Sequence, residues 1–239
     1  MSEALKGTYF LNKDRVIVYT AIFGGYDEVQ EPTFYNRNVD YVMFTDRDIK
    51  STIWNVIKVP AIYEDPTRNA RKYKILPHRW FPNYKYSIWV DGNMIVRGDV
   101  DDIITTYLEE SDIAVFDHSQ NKLDPRNCVY DEANTILYLG QLNGNYKDDP
   151  RLIMKQMEKY KADHYPENNS LVVSMVVVRR HNQCKNAMEK WWEELKYNSK
   201  RDQLSFNYSM WKTHTDVTYI PGDSRDNQWF LHTGAHKNK

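Results

Sequence analysis

The strongest constraint on this fold is a series of short apolar runs, several closed by a turn signal, which from residue 66 onward alternate with segments of helix formers. VIVYTAIF at 16–23 ends at Gly24-Gly25, VDYVMFT at 39–45 ends at Asp46, and a third run covers 52–59. YSIWV at 86–90 runs into Asp91-Gly92-Asn93, and residues 94–97 continue extended. DIAVF follows at 112–116, LVVSMVVV at 171–178 is the most apolar run in the chain, and a last strand falls at 217–220. Helices are predicted over 66–79, 99–110, 128–142, 149–162, 182–196 and 201–212, with Asp65 as N-cap and Pro66 at the first helical position. Strands alternating with helices predict an α/β three-layer sandwich with a mostly parallel sheet. The length of 239 residues suits a single domain spanning 1–239. Ligands in such sheets bind at the carboxyl ends of the strands. That rule gathers the Gly24-Gly25-Tyr26-Asp27 loop, Asp46 and Asp91-Gly92-Asn93 at one edge.

Charge narrows the partners. Lys and Arg total 32 against 33 Asp and Glu, a net charge of -1, so nothing favours non-specific binding to nucleic acid or an anionic membrane. Aromatics reach 14%, with 18 Tyr and 7 Trp, which argues against disorder. No run approaches the length of a transmembrane segment, and the first residues lack the apolar core of a secretory signal. Cys128 and Cys184 form no CxxC pair, so a cytoplasmic location with reduced thiols is expected.

Asp91 and Asn93 stand two apart across Gly92, so both side chains face the same way. Two such oxygens suit a hard cation, Mn²⁺ or Mg²⁺, which completes its shell with water and phosphate. A plain polar strand-end turn would show the same residues.

The stretches TAIFGGYDEVQEP, DYVMFTD, RNARKYKILPHRWFPNYKYSIWVDGN, RNCVYDEA and RDQLSFNYSMWK resemble a glycosyltransferase-like family first described as a domain of unknown function. It includes plant mucilage and pectin galacturonosyltransferases and bacterial relatives. A more distant likeness is to retaining GT-A enzymes of the glycogenin and lipopolysaccharide galactosyltransferase kind. The resemblance implies a GT-A-like, Rossmann-like fold and a nucleotide-sugar donor. It implies that Asp91 and Asn93 stand for the metal-binding DxD, with Asn in place of the second Asp, and that His232 completes the metal shell, with His236 as a rival. It also implies donor contacts from Arg71, from Arg68 one turn earlier, and from Lys237 on the diphosphate. Asn168 and Asn169 match an Asn motif before a core strand, as substrate contacts, and Asp202-Gln203 match a catalytic Asp-Gln pair.

The departing nucleoside diphosphate needs positive charge that strengthens in the transition state. Thr20, Ala21 and Tyr26 are placed to hold the base, and Asp46 the base or ribose. Loop packing for Tyr26 and a capping role for Asp46 are equally simple readings. His118 and Arg126, in DHSQNKLDPRNCVYDEA, fall over the site as substrate contacts, with Arg126 suited to a sugar carboxylate. Asp124-Pro125 would open the next helix, and Asp131-Glu132 suit its first turns. Cys128, Met175, Trp191 and Trp192 read as packing.

The expectation is therefore a metal-assisted, retaining glycosyltransferase of polysaccharide biosynthesis. It would move a sugar from a UDP-sugar to a glycan or glycoconjugate hydroxyl, with Gln203, Asp202 and Asp91 as catalytic residues. An inverting enzyme would need a base among Asp131, Glu132 and Asp202. A non-catalytic nucleotide-sugar or glycan module is the rival of another class. A phosphoesterase or nucleotidyltransferase would need a denser carboxylate cluster.

Overall fold

The computed structural model describes residues 15–234. The strands are β1 (Val16–Ile22), β2 (Val39–Thr45), β3 (Asn55–Lys58), β4 (Tyr86–Val90), β5 (Met94–Val96), β6 (Ile113–Asp117), β7 (Val172–Arg179), β8 (Thr218–Ile220) and β9 (Phe230–His232). The helices are α1 (Pro66–Ile75), α2 (Pro77–Trp80), α3 (Val100–Tyr107), α4 (Val129–Asn143), α5 (Pro150–Ala162), α6 (Lys185–Tyr197) and α7 (Gln203–Lys212). Seven strands form the central sheet in the order β3-β2-β1-β4-β7-β6-β8. Every pairing is parallel except those of β7, which runs against both β4 and β6. Continuous apolar runs carry no sign of direction, so this reversal was not visible in LVVSMVVV.

Both faces of the sheet are buried. Ile17, Tyr19 and Ala21 of β1 join one core with Met188, Trp191 and Leu195 of α6. Val16, Val18 and Ile22 join the opposite core with Val100, Ile103 and Ile104 of α3. A third core packs α4, α5 and α7 around Tyr160, Tyr165 and Tyr208.

Most predicted elements form near their expected bounds, with three instructive differences. The helix expected over 66–79 breaks at Leu76, where Pro77 brings no N–H and restricts the residue before it. Residues 94–96 are extended as expected, but as β5 they pair antiparallel with β9 in a separate ribbon and not with the central sheet. Asp124 does not cap α4, which begins at Val129 with Cys128 at its N-cap. The Asp124 carboxylate pairs with Arg126 instead. Asp65 caps α1 as expected, accepting from the Thr67 amide at 2.9 Å.

Candidate active site

At the carboxyl ends of β1 and β4 the structure opens a cavity of about 540 Å³. That is within the roughly 300–1,000 Å³ of small-ligand sites. Ala21, Ile22, Phe23, Tyr26 and Asp27 come from the end of β1, and Trp89, Asp91 and Gly92 from the end of β4. Pro66, Thr67, Ala70 and Arg71 of α1 form one side wall. Asn143 at the end of α4 and Asn145 and Lys147 after it, with Lys200, Arg201 and Asp202 before α7, form the other.

Glycine shapes the mouth. Gly24 and Gly25 both adopt left-handed backbone, at φ 62° and 65°. Asp46 fixes this turn, its carboxylate accepting from the Gly24 amide at 3.1 Å. Asp46 thus builds the loop and does not itself line the cavity. A Cβ on Gly92 would lie 2.9 Å from Ile22 Cγ1 and 3.0 Å from Asp27 Oδ2, so only glycine lets the Asp-Gly-Asn turn seat against β1.

On the cavity floor four charges interlock. Asp91 Oδ1 accepts from Arg71 at 3.1 Å, Lys74 at 3.2 Å and the Trp89 indole at 2.7 Å. Asp202 pairs with Arg71 at 3.3 Å and with Lys74 at 2.5 Å, and accepts from the Ser174 hydroxyl at 3.0 Å. The Lys74 side chain is fully buried. Burial works to raise the Asp202 carboxyl, but Arg71 and Lys74 overcome it and hold the pKa well below the carboxylate range. Burial and the neighbouring Arg71 draw the Lys74 ammonium down, against the pull of Asp202 and Asp91. Arg71 is raised: burial opposes its charge, and the two carboxylates more than compensate. Because its carboxylate is held by these cations, Asp202 makes no side-chain capping bond to α7.

Asn93 points toward the β5–β9 ribbon. Its amide nitrogen lies 3.0 Å from His232 Nε2 and donates to the Gly234 carbonyl at 3.2 Å, while its buried Oδ1 has no partner. Register makes this meeting, since Met94 pairs with His232 across the ribbon. Among the described residues no three His, Cys, Asp or Glu side chains gather as a metal cluster. Asn is outside that set; its amide nitrogen, not its oxygen, faces the imidazole, and the orphaned Oδ1 is the feature that fits a divalent ion. Lys237 and His236 lie outside the described residues.

Several expected contacts stand elsewhere. Arg68 does not reach the cavity: its guanidinium bonds the Leu195 carbonyl and, at 2.8 Å, that of Asn198, closing the C-terminal end of α6. A three-residue step on a helix leaves Arg68 about 60° from Arg71, enough to turn it onto α6. Arg126 is bound by Asp124 and by Glu132 at 2.7 Å, and neither it nor the buried His118 lines the cavity. Thr20 is buried in β1 with its hydroxyl unpartnered, while Ala21 and Tyr26 do line the cavity. Asn168 occupies a left-handed turn at φ 53°, and the Asn169 carbonyl accepts from the Tyr165 hydroxyl at 3.5 Å. Neither is a cavity residue. Gln203 donates to the Val172 carbonyl at 2.8 Å, beside Asp202.

Sequence reasoning missed Lys74, Trp89, Ser174 and the wall of Asn143 and Asn145. Lys74 had a signal, its position three residues beyond Arg71 on the same helix, but a helical lysine ordinarily reads as solvated.

The sheet order, its one reversed strand and a cavity at the carboxyl ends of β1 and β4 define an α/β domain with a mostly parallel sheet and its candidate site at the strand ends. Residues 4–221 match the family model described as "TOD1/MUCI70, glycosyltransferase-like domain", and the chain belongs to that family. It is 27% identical to "Probable hexosyltransferase MUCI70" of Arabidopsis thaliana, over 80% of this chain and 36% of that protein. It is 24% identical to "Alkaline ceramidase TOD1" of the same plant, over 82% of this chain and 50% of the relative. The chain thus spans between about a third and a half of these curated relatives. The apo structure of the bifunctional glycosyltransferase WbbM superposes with a TM-score of 0.46 at 12% identity, over 90% of this chain and 40% of that one. No helix among the described residues is long and apolar enough to cross a membrane.

Proposed function

We propose that this domain transfers a hexose-class sugar from a nucleotide donor, a UDP-sugar, to a glycan hydroxyl with retention of anomeric configuration. The observation that carries the reading is the set of Arg71, Lys74, Asp91 and Asp202 on the floor of the cavity. Two buried cations shared between two carboxylates give a fixed electrostatic frame for a substrate that gains negative charge as it breaks. Arg71 faces the cavity and stabilises the departing diphosphate. The N-terminal ends of α1 and α7 add their positive dipole ends on either side. Tyr26 and the end of β1 receive the nucleotide base.

The state of the carboxylates that the sequence offers as bases supports the retaining reading. An inverting reaction needs a base opposite the leaving group. Asp202 is held ionised by two cations and is a poor proton acceptor. Glu132 is tied to Arg126, and Asp131 is exposed on α4. The departing phosphate itself then takes the acceptor proton. Gln203, whose amide nitrogen donates to the Val172 carbonyl beside Asp202, is the side chain this reading assigns to the anomeric carbon, although it does not line the cavity. Asp91, Asn93 and His232 would hold a Mn²⁺ or Mg²⁺ ion, which when bound supplies Lewis-acid stabilisation of the leaving group.

The test is a nucleotide-sugar panel read by nucleotide release, with anomeric NMR on the product and a thermal-shift assay with UDP. UDP is expected to raise the melting temperature, because a ligand of the folded state alone stabilises it. Asp91→Ala is expected to abolish transfer. An unchanged melting temperature with every nucleoside diphosphate, with and without Mn²⁺, would remove the donor site.

A further inference from the structure

We propose that Arg201 binds the diphosphate of the nucleotide donor and supplies the net positive charge that the cavity floor lacks. This rests on the transferase reading above and deepens it, by assigning the leaving group to the wall opposite α1. On the floor, Arg71 and Lys74 face Asp91 and Asp202, two cations against two carboxylates, so the cluster is neutral as a whole. Lys200 lines the opposite wall but pairs with Asp65 at 2.9 Å. Arg201 lines that wall too, half-buried, and its Nε is buried without a hydrogen-bond partner. Among the described residues no carboxylate forms an ion pair with it. Asp202 feels the Arg201 charge, but less than the charges of Arg71 and Lys74, which it contacts.

The segment that carries Arg201 is anchored on both sides. The Asp148 carboxylate accepts from the Ser199 hydroxyl and from the Lys200 amide, both at 2.6 Å. The Ser199 oxygen in turn accepts from the Arg201 amide at 3.1 Å. Beyond it, the Asp202 carbonyl accepts from the Trp191 indole at 2.9 Å. An arginine held this way meets an anion with little ordering left to do. A guanidinium has five donors and no acceptor, and its planar fork matches phosphate oxygens. A diphosphate suits the cavity better than a lone carboxylate, because it carries more charge and the positive ends of two helices reach the same space. Pro66 and Thr67 at the start of α1 and Asp202 just ahead of α7 all line it. When the bond between the anomeric carbon and the phosphate oxygen breaks, its electron pair stays on that oxygen, and Arg201 stabilises the charge gained. The acceptor oxygen forms the new bond to the anomeric carbon, and its proton passes to the phosphate.

Titration calorimetry of the full chain in magnesium buffer, with UDP, inorganic pyrophosphate, uridine and glucuronate as probes, tests this. The wild type is expected to bind UDP and pyrophosphate. Arg201→Gln should weaken both about tenfold or more, the scale of one charge-assisted hydrogen bond, and leave uridine unchanged. Arg201→Lys keeps the charge but loses the fork, and should fall between wild type and Arg201→Gln. UDP affinity equal to wild type in both variants, or in Arg201→Lys alone if the glutamine variant does not fold, overturns the proposal and leaves the donor reading intact. Equal weakening of UDP and uridine also overturns it, and assigns Arg201 a structural role. Binding of glucuronate but not pyrophosphate, lost in Arg201→Gln, overturns the diphosphate assignment in favour of a carboxylate. If pyrophosphate binds through Arg201 and UDP does not bind, the donor reading fails and the anion site stands. No binding of UDP or pyrophosphate to the wild type removes both.

Discussion

Two polar clusters lie toward the carboxyl edge of this sheet, and they are built in opposite ways. On the cavity floor Arg71 and Lys74 share Asp91 and Asp202, two cations against two carboxylates, with the cavity above them. Near β6, the guanidinium of Arg126 is closed between Asp124 and Glu132, with His118 buried alongside. The first arrangement leaves Arg71 and Asp91 facing a space where a ligand fits. The second satisfies its own arginine and fastens the entry of α4. From residue types alone the two look alike, because each sets basic side chains against carboxylates near a strand end. The difference is topological: the floor cations join segments more than 100 residues apart around a cavity, while Arg126 is clasped by carboxylates within six residues of it, as a fastener.

That contrast can be broken experimentally. Lys74→Met strikes the floor hardest, since it leaves buried Asp202 short of a partner. A loss of about 3–5 kcal/mol is expected in urea unfolding, together with loss of the UDP thermal shift. Arg126→Met removes the clasp. It should cost about 2 kcal/mol through the buried Glu132 and leave the UDP shift unchanged. A lost UDP shift would show that Arg126 acts on the ligand site after all. Arg68→Ala should cost about 1 kcal/mol, through the α6 carbonyls alone, again with UDP binding intact.

Acid separates the clusters by order rather than size. Burial holds the His118 pKa below its ordinary 6.5, outweighing the pull of Glu132, so its contribution to stability is full above that value and fades as pH falls below it. The depressed Asp202 contributes above the ordinary carboxylate pKa of about 3.9 and is lost only as pH drops through its lower folded value. NMR titration should show His118 protonating first and Asp202 last. Reversed order would mean that the floor cations do not hold Asp202.

Much of this architecture was legible because burial on both sheet faces demands unbroken apolar runs, as in VIVYTAI and VVSMVVVR. The Asp-Gly-Asn turn was legible because glycine between two polar residues at a strand end has few other uses. What stayed hidden depends on partners distant in sequence. Lys74 meets Asp202 across 128 residues, and His232 reaches Asn93 only because a three-residue strand pairs with β5. Arg68 and Arg126 misled for the matching reason: a positive charge announces itself in sequence, while the carbonyls and carboxylates that occupy it do not.

The buried Arg179 has a mechanical consequence. It donates to the Tyr19 hydroxyl, which in turn donates to the Lys74 carbonyl at 2.7 Å, so a strut runs from β7 through β1 into the last turn of α1. Arg68 ties the first turn of the same helix to α6. The α1 wall is braced at both ends and is stiff. Arg71 and Lys74 are thereby carried on a helix pinned at each end, so both cations are held in register with Asp91 and Asp202 by contacts that reach three other elements.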